Sequence, residues 1–142
     1  MGGKKVNGRK RHVLVDTLGH LLAVTVTPAD VPDVDAAYEL LPAAKAVAPS
    51  LRHVWGDGRY AGEWAEWAAD EQQVTIEVVR RLASQQGFVV QAKRWVVERS
   101  LAWFGRNRRL SRDFERYEDT SETLIYLASC HLLLKRLKPA AE

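Results

Sequence analysis

Cysteine is almost absent from this sequence of 142 residues, in which Cys130 is the only one. A single thiol excludes an internal disulfide and a CxxC metal knuckle. Since Cys130 stands in an apolar stretch, we expect its side chain to be buried. The sequence also lacks an HExxH metal motif, a GxSxG nucleophile turn and a glycine-rich phosphate loop. Zinc-protease, serine-hydrolase and P-loop chemistry therefore find no support.

Long apolar runs are missing as well. No stretch approaches the ~18 consecutive apolar residues that a membrane helix needs, and the start MGGKK has no apolar signal region. The hydrophobic share of 46% is that of a globular chain. The length suits one domain of about 100–200 residues. We therefore expect a single domain over residues 1–142 in the cytoplasm.

Acidic residues are absent from the first 15 positions, which contain five bases. Residues 28–72 contain nine acids against three bases, and residues 93–112 contain seven bases against one acid, Glu98. Two basic ends around an acidic middle suit a polyanion held near an acidic site. A set of solvated charged faces explains the same pattern equally well.

The apolar periodicity predicts the element order β, β, α, β, α, β, α, α, which is an α/β unit with a mixed sheet. A turn containing Gly19 joins the first two strands into a hairpin. Asp33 or Asp35 is expected to cap the first helix, and Pro42 to kink or split it. The predicted strands cover residues 12–16, 21–27, 51–55 and 74–79; the predicted helices cover 33–47, 61–71, 93–107 and 119–137, with a polar loop at 80–91.

Asp57 directly follows a predicted strand and stands between two glycines. Open α/β sheets place their sites at the carboxyl ends of strands, and flanking glycines let a ligand approach the backbone. The simpler interpretation is that Asp-Gly is a good turn dipeptide. Asp16, Asp30, Asp33 and Asp35 are interpreted as turn and cap residues.

Glu98 is the only acid in a basic predicted helix. Helical spacing puts Arg94, Glu98, Gly105 and Arg109 along roughly one face, beside an apolar stripe of Val97, Leu101 and Phe104. A carboxylate there could hold a metal while arginines meet phosphate oxygens. The alternative is an Arg94–Glu98 surface ion pair worth about 0.3–0.5 kcal/mol. The five tryptophans are expected mainly in the core, with Trp95 and Trp103 as possible DNA-facing exceptions.

Several stretches, in the right order over nearly the whole chain, resemble DDE transposases of the insertion-sequence-5 type. They are GRKRHVLVDT from Gly8, VTPADV from Val26, WGDGRYAG from Trp55, KRWVVERSLAW from Lys93, RRLSRDFE from Arg108 and TSETLIY from Thr120. The resemblance implies an RNase H-like mixed sheet flanked by helices. It also implies phosphoryl transfer with Mg²⁺ or Mn²⁺ held by three carboxylates. Asp57 falls on the second aspartate and Glu98 on the glutamate, with Arg94 and Glu98 matching the R-x3-E signature.

The sequence departs from that family at its start. The family's first aspartate lies on a strand just before the hairpin, where this chain has only MGGKKVNGRKR and no acid. We therefore expect an N-terminally truncated fold without the first strand and without the family's N-terminal DNA-binding region. Gly105 stands at the basic position seven residues after the glutamate, with Arg106 next to it, and Gln91 replaces the tyrosine three before Arg94.

The resemblance implies DNA as the partner, which would associate with the nucleoid of a bacterium. The residues expected to bind it are Lys93, Arg94, Arg99, Arg106, Arg108 and Arg109. With only two carboxylates we expect very weak metal binding and no strand cleavage by the chain alone. Four interpretations remain: an inactive transposase fragment, the downstream half of a split element completed by an upstream half, a non-catalytic DNA-binding remnant, or a generic metal nuclease. A homo-oligomer is also compatible with the sequence.

Overall fold

The structure is a computed structural model that describes residues 8–79 and 94–137. The order of its strands and helices is the predicted one, with bounds that shift by only a few residues. The strands are β1 Arg9–Val15, β2 Leu21–Pro28, β3 His53–Gly56 and β4 Thr75–Val78; the helices are α1 Asp33–Val47, α2 Glu63–Gln72, α3 Arg94–Gly105 and α4 Glu118–Leu137. Two short 3-10 turns cover Gly58–Tyr60 and Arg108–Leu110. The predicted loop at 80–91 lies outside the described residues.

The antiparallel hairpin of β1 and β2 is closed by Asp16, as its turn role predicts. The Oδ1 atom of Asp16 accepts hydrogen bonds from the backbone N–H groups of Leu18 at 2.9 Å and His20 at 2.8 Å. Gly19 has a φ of +86°, in the left-handed region that favours glycine. A Cβ atom on Gly19 would lie 2.8 Å from the Oγ atom of Ser100, so the hairpin turn packs tightly against α3.

The predicted single mixed sheet is not what the described residues form. β1 pairs with β2, and β3 pairs in parallel with β4, giving two separate sheets of two strands each. Each strand has two hydrogen-bonding edges, and within residues 8–79 and 94–137 no strand bridges β1 and β3. The α/β class is correct, but the sheet is divided where β1 and β3 would have to be joined.

Helices cover both faces of the hairpin. Ala23 packs with α1 through Leu40 and Ala44, whereas Val24 belongs to a second cluster with Phe104 of α3 and Ile125 of α4. Successive strand residues point to opposite faces, so β2 separates these two apolar layers. A third cluster packs α1, α2 and β4 together through Ala37, Leu41, Trp64, Ala68 and Val74.

Pro42 does not split α1, which runs as one helix from Asp33 to Val47. Proline removes one helical hydrogen bond, but Leu41 and Ala44 on either side of it are completely buried and hold both halves against the core. The expected side-chain cap is also wrong: no side chain caps α1, and the backbone N–H of Asp35 bonds to the carbonyl of Pro32 at 3.1 Å.

Cys130 is exposed on α4 rather than buried. The inner face of that helix consists of Ser121, Ile125, Ala128 and Ser129, and the apolar stretch around Cys130 continues onto the outer face. None of the helices in the described ranges is long and apolar enough to cross a membrane.

Candidate functional site

Asp57 stands at the end of β3, where it begins the 3-10 turn Gly58–Tyr60. Its Oδ1 atom accepts a hydrogen bond from the backbone N–H of Arg59 at 2.9 Å, so the carboxylate caps its own turn. Gly56 is required for packing, because a Cβ atom there would lie 3.0 Å from the ring of Tyr60. The turn interpretation is therefore correct locally, and it also fixes where the carboxylate is held.

Asp33 anchors the turn that carries Asp57. One oxygen of Asp33 accepts a hydrogen bond from the Nζ atom of Lys10 at 3.1 Å, and the other accepts one from Arg59. Burial alone would raise the pKa of the Asp33 carboxyl, but the hydrogen bonds from Lys10 and Arg59 outweigh it and hold that pKa below its ordinary value. The two ion pairs thus tie β1, the start of α1 and the Asp57 turn together.

The neighbours of Asp33 respond to the same environment. Burial lowers the pKa of His12, although the nearby Asp33 carboxylate partly opposes this effect. Burial raises the pKa of Tyr60, and the charges of Asp33 and Asp57 raise it further. Sequence reasoning assigned Asp33 only a cap role. No pattern in the sequence pairs it with Arg59, because the contact joins different elements.

Glu98 lies on the outer side of α3. The helix buries Val96, Ser100 and Phe104, at spacing i, i+4 and i+8, so the predicted stripe with Val97 and Leu101 is rotated by about one residue. Ser100 tolerates complete burial because its hydroxyl donates to the carbonyls of Gly19 at 2.8 Å and Val96 at 3.1 Å. A stripe search restricted to apolar residues misses this face.

Asp57 and Glu98 line the same cavity, which has a volume of about 650 Å³. Asp16 lines it as well, but its carboxylate is engaged with the hairpin turn and with the ring of His20 at 2.9 Å. Over residues 8–79 and 94–137, no three Asp, Glu, His or Cys side chains are grouped so that they could hold a metal ion. The cavity therefore brings together two of the predicted carboxylates and no third one.

The cavity is bordered by the edges of two strands. Residues 13–15 of β1 and 54–56 of β3 line it, together with apolar side chains of α1. Since consecutive strand residues point to opposite faces, a strand that contributes three in a row presents its edge. In the described part of the chain β1 pairs only with β2 and β3 only with β4, so these edges have no strand partner there.

Arg99 lies in a stack of cations and aromatic rings. Its guanidinium carbon is 4.4 Å from the ring centre of Trp95 and 4.6 Å from that of Trp103, and Arg136 covers Trp103 at 4.7 Å. The Nη2 atom of Arg99 also donates to the carbonyl of Leu18 at 3.0 Å. The predicted DNA-binding arginine and the two predicted DNA-facing tryptophans therefore share one surface cluster that is also bound to the hairpin turn.

The other predicted DNA-binding residues are spread over two elements. The expectation that Arg109 shares a helical face with Glu98 is wrong, because α3 ends at Gly105. Arg109 instead donates to Glu115 at 2.7 Å, and that hydrogen bond raises the pKa of the arginine. Arg106 and Arg108 are exposed. Lys93 and the side chain of Arg94 lie outside the described residues.

Bases of the N-terminal basic segment have internal partners. Arg9 donates to the carbonyls of Glu115 at 2.9 Å and Arg116 at 2.6 Å, and Arg11 donates to the carbonyl of Leu110 at 2.8 Å. These bonds hold the loop before α4 against β1. The basic character of this segment therefore serves the fold as well as any polyanion.

The family model for the transposase DDE domain matches residues 1–133, which include β1, β3 and both cavity carboxylates. The chain belongs to the DDE transposase family. A protein of Burkholderia cepacia, assigned as transposase for insertion sequence element IS402, is 31% identical over 143 residues. The match covers 94% of this chain and 66% of the relative, so this DDE transposase chain spans about two thirds of that relative's length. No solved structure gives a significant match.

Membership of the DDE transposase family confirms the resemblance that the ordered motifs predicted. The motif residues Trp55, Gly56 and Asp57 border the cavity from β3, and Glu98 borders it from α3. The two carboxylates that the DDE motif pairs are thus on one surface of this chain.

Proposed function

We propose that this chain is the greater part of the catalytic domain of a DNA transposase, which cleaves and transfers DNA strands with the help of a divalent metal ion. The observation that carries the proposal is the shared cavity of Asp57 and Glu98, which come from different elements of the fold. Transposon ends and target DNA are the substrates of this proposal.

The donor set fits a divalent cation in kind. Carboxylate oxygens are the ligands that Mg²⁺ and Mn²⁺ prefer, and Asp57 is oriented by the N–H group of Arg59. A bound ion would polarise a phosphate and promote ionisation of an attacking water or hydroxyl. Two carboxylates hold Mg²⁺ weakly, so the site needs a further acidic ligand for full occupancy.

We infer that an additional strand completes this site. A strand placed between β1 and β3 would hydrogen-bond to both free edges and join the two sheets into one RNase H-like mixed sheet. The apolar lining from Leu14, Leu41 and Val54 suits the side chains of a buried strand. An aspartate on such a strand would reach the same cavity as Asp57 and Glu98 and supply the third carboxylate.

Basic side chains on the α3 side would hold the DNA backbone. Arg106 and Arg108 are exposed, and Arg99 with Trp95 and Trp103 offers stacked planar groups beside them. Arginine forks match phosphate oxygens, whereas planar rings accept bases. Lys93, Arg94 and Arg109 complete the proposed DNA-contacting set.

The test is Mg²⁺-dependent cleavage of labelled DNA by a protein extended upstream with an acidic strand. We expect the extension to create cleavage activity and Asp57→Asn or Glu98→Gln to reduce it at least ~100-fold, since partners that only support metal ligands already contribute about 10–100-fold. Asp70→Asn, a change of an exposed acid on α2, is the matched control and should leave the rate unchanged. Equal cleavage with Glu98→Gln would overturn the assignment.

A non-catalytic DNA-binding role is the second candidate. It is favoured by the absence of a three-ligand metal group in the described ranges and by the excess of bases at 93–112. The same experiment separates the two. Cleavage that appears with the extension supports the enzyme, whereas DNA binding without cleavage in every extended protein supports the binding role.

A further inference from the structure

The outer face of α4 carries an apolar stripe that the fold does not cover. Leu127, Leu134 and Leu137 are 60%, 66% and 78% exposed, and Cys130 is exposed between them. Isolated exposed leucines are common on protein surfaces, but a continuous apolar patch marks an interaction site. This stripe lies on the side of the helix opposite the buried residues Ile125 and Ala128.

The spacing of this stripe is that of a helix-pairing seam. The four residues follow one another at intervals of three, four and three, which is the a and d repeat of two packed helices. The same spacing reads identically in both directions along the helix. Two copies of α4 packed antiparallel would therefore place Leu127 against Leu137 of the other copy and Cys130 against Leu134 of the other copy.

Charge favours the antiparallel arrangement over the parallel one. The first turn of α4 is acidic, with Glu118 and Asp119, and its last turn is basic, with Lys135 and Arg136. Parallel helices would set like charges side by side at both ends. Antiparallel helices move the basic turn of each copy towards the acidic half of the other, and their macrodipoles oppose one another favourably.

We propose that two copies of this chain associate through antiparallel packing of their α4 helices along Leu127, Cys130, Leu134 and Leu137. The surface is self-complementary, as an interface with twofold symmetry must be. It is independent of the cavity that holds Asp57 and Glu98. A seam of four side chains is small, so the association is expected to be reversible and to depend on protein concentration.

Disulfide trapping in the full chain tests both the pairing and its direction. In the antiparallel pair a cysteine at 134 faces the native Cys130 of the other copy, within the short Cα separation that a disulfide requires. A cysteine at 137 faces Leu127 and lies far from any thiol. Under mild oxidation with diamide, Leu134→Cys should give at least about 10-fold more covalent dimer than Leu137→Cys, since only the first geometry permits the bond.

A second measurement removes the seam without disturbing the fold. Leu134→Glu should abolish the concentration-dependent dimer in sedimentation velocity, because it places charge in the apolar seam. Val47→Glu changes a side chain that is similarly exposed, at 68%, but lies on α1, and it should leave the dimer intact. Both variants should keep their circular dichroism spectrum.

Three results would overturn the proposal. Cross-linking of the unmodified chain and of Leu137→Cys, without cross-linking of Leu134→Cys, would show parallel helices. Equal trapping of both variants would show random collision. A monomer at all concentrations together with no trapping would show that two copies do not meet at this face.

Discussion

Asp57 and Asp33 divide the work at the candidate site between position and charge. Asp57 lines the cavity and is oriented by a backbone N–H, whereas Asp33 holds the neighbouring Arg59 and Lys10. The Arg59 side chain is largely exposed and the Asp33 side chain is mostly buried. The ion pairs are therefore anchored on the aspartate, and water screens their outer ends.

Asp33→Asn tests this anchoring role. We expect it to lower the free energy of unfolding by about 1 kcal/mol at pH 7, since partly exposed charged hydrogen bonds contribute in that range. Because the pKa of Asp33 is lower in the folded state than its ordinary value of 3.8, the contribution is complete above that value. It is lost as the pH falls through the lower folded pKa. Urea titrations of both proteins from pH 7 to pH 3 measure the difference.

Asp35→Asn is the control for this change. Asp35 stands in the same first turn of α1, so the substitution alters the helix dipole equally, but the side chain is exposed. It should shift the stability by no more than a few tenths of a kcal/mol, as charge changes at exposed helix ends do. Equal losses from Asp33→Asn and Asp35→Asn would show that the ties to Lys10 and Arg59 contribute nothing.

At the scale of elements, the hairpin and α3 form one unit through Gly19 and Ser100. Gly19→Ala places a methyl group 2.8 Å from the Ser100 hydroxyl and forces a side chain into φ +86°. We expect a loss of about 1–3 kcal/mol in stability, which is typical of strained positive-φ positions. Thermal unfolding followed by circular dichroism measures it.

Gly58→Ala provides the comparison. A Cβ atom at Gly58 meets nothing within 4 Å, and its φ is not positive, so alanine should cost nothing and could add stability by restricting the unfolded chain. If Gly19→Ala is as harmless as Gly58→Ala, the turn is not docked on Ser100 as described.

The sequence predicts the elements well but not their faces. The order of strands and helices follows from local periodicity and turn residues, and every predicted element within the described ranges is present. The buried face of α3 was misplaced because Ser100 is buried with its hydroxyl satisfied by carbonyls. Pro42 was overweighted because burial of Leu41 is a tertiary effect that a local rule omits.

On the scale of the whole molecule, distant contacts decide what the sequence cannot show. Arg9 and Arg11 look like part of a polyanion-binding end, yet they hold the loop before α4. The expected mixed sheet requires a strand between β1 and β3, and pairing partners of that kind are not encoded in either strand alone. By contrast, the ordered motifs singled out Asp57 and Glu98, and the fold places both on one cavity.

The central claim is that Asp57 and Glu98 together hold a divalent ion. The most direct measurement is Mn²⁺ titration of the ¹⁵N-labelled chain, because paramagnetic broadening reports weak binding at residue resolution. We predict that amide signals of Gly56, Gly58 and Val97 broaden first, and that this broadening is lost when Asp57→Asn and Glu98→Gln are combined. Broadening centred on the other acids of the 28–72 segment, or unchanged in the double variant, would contradict the account.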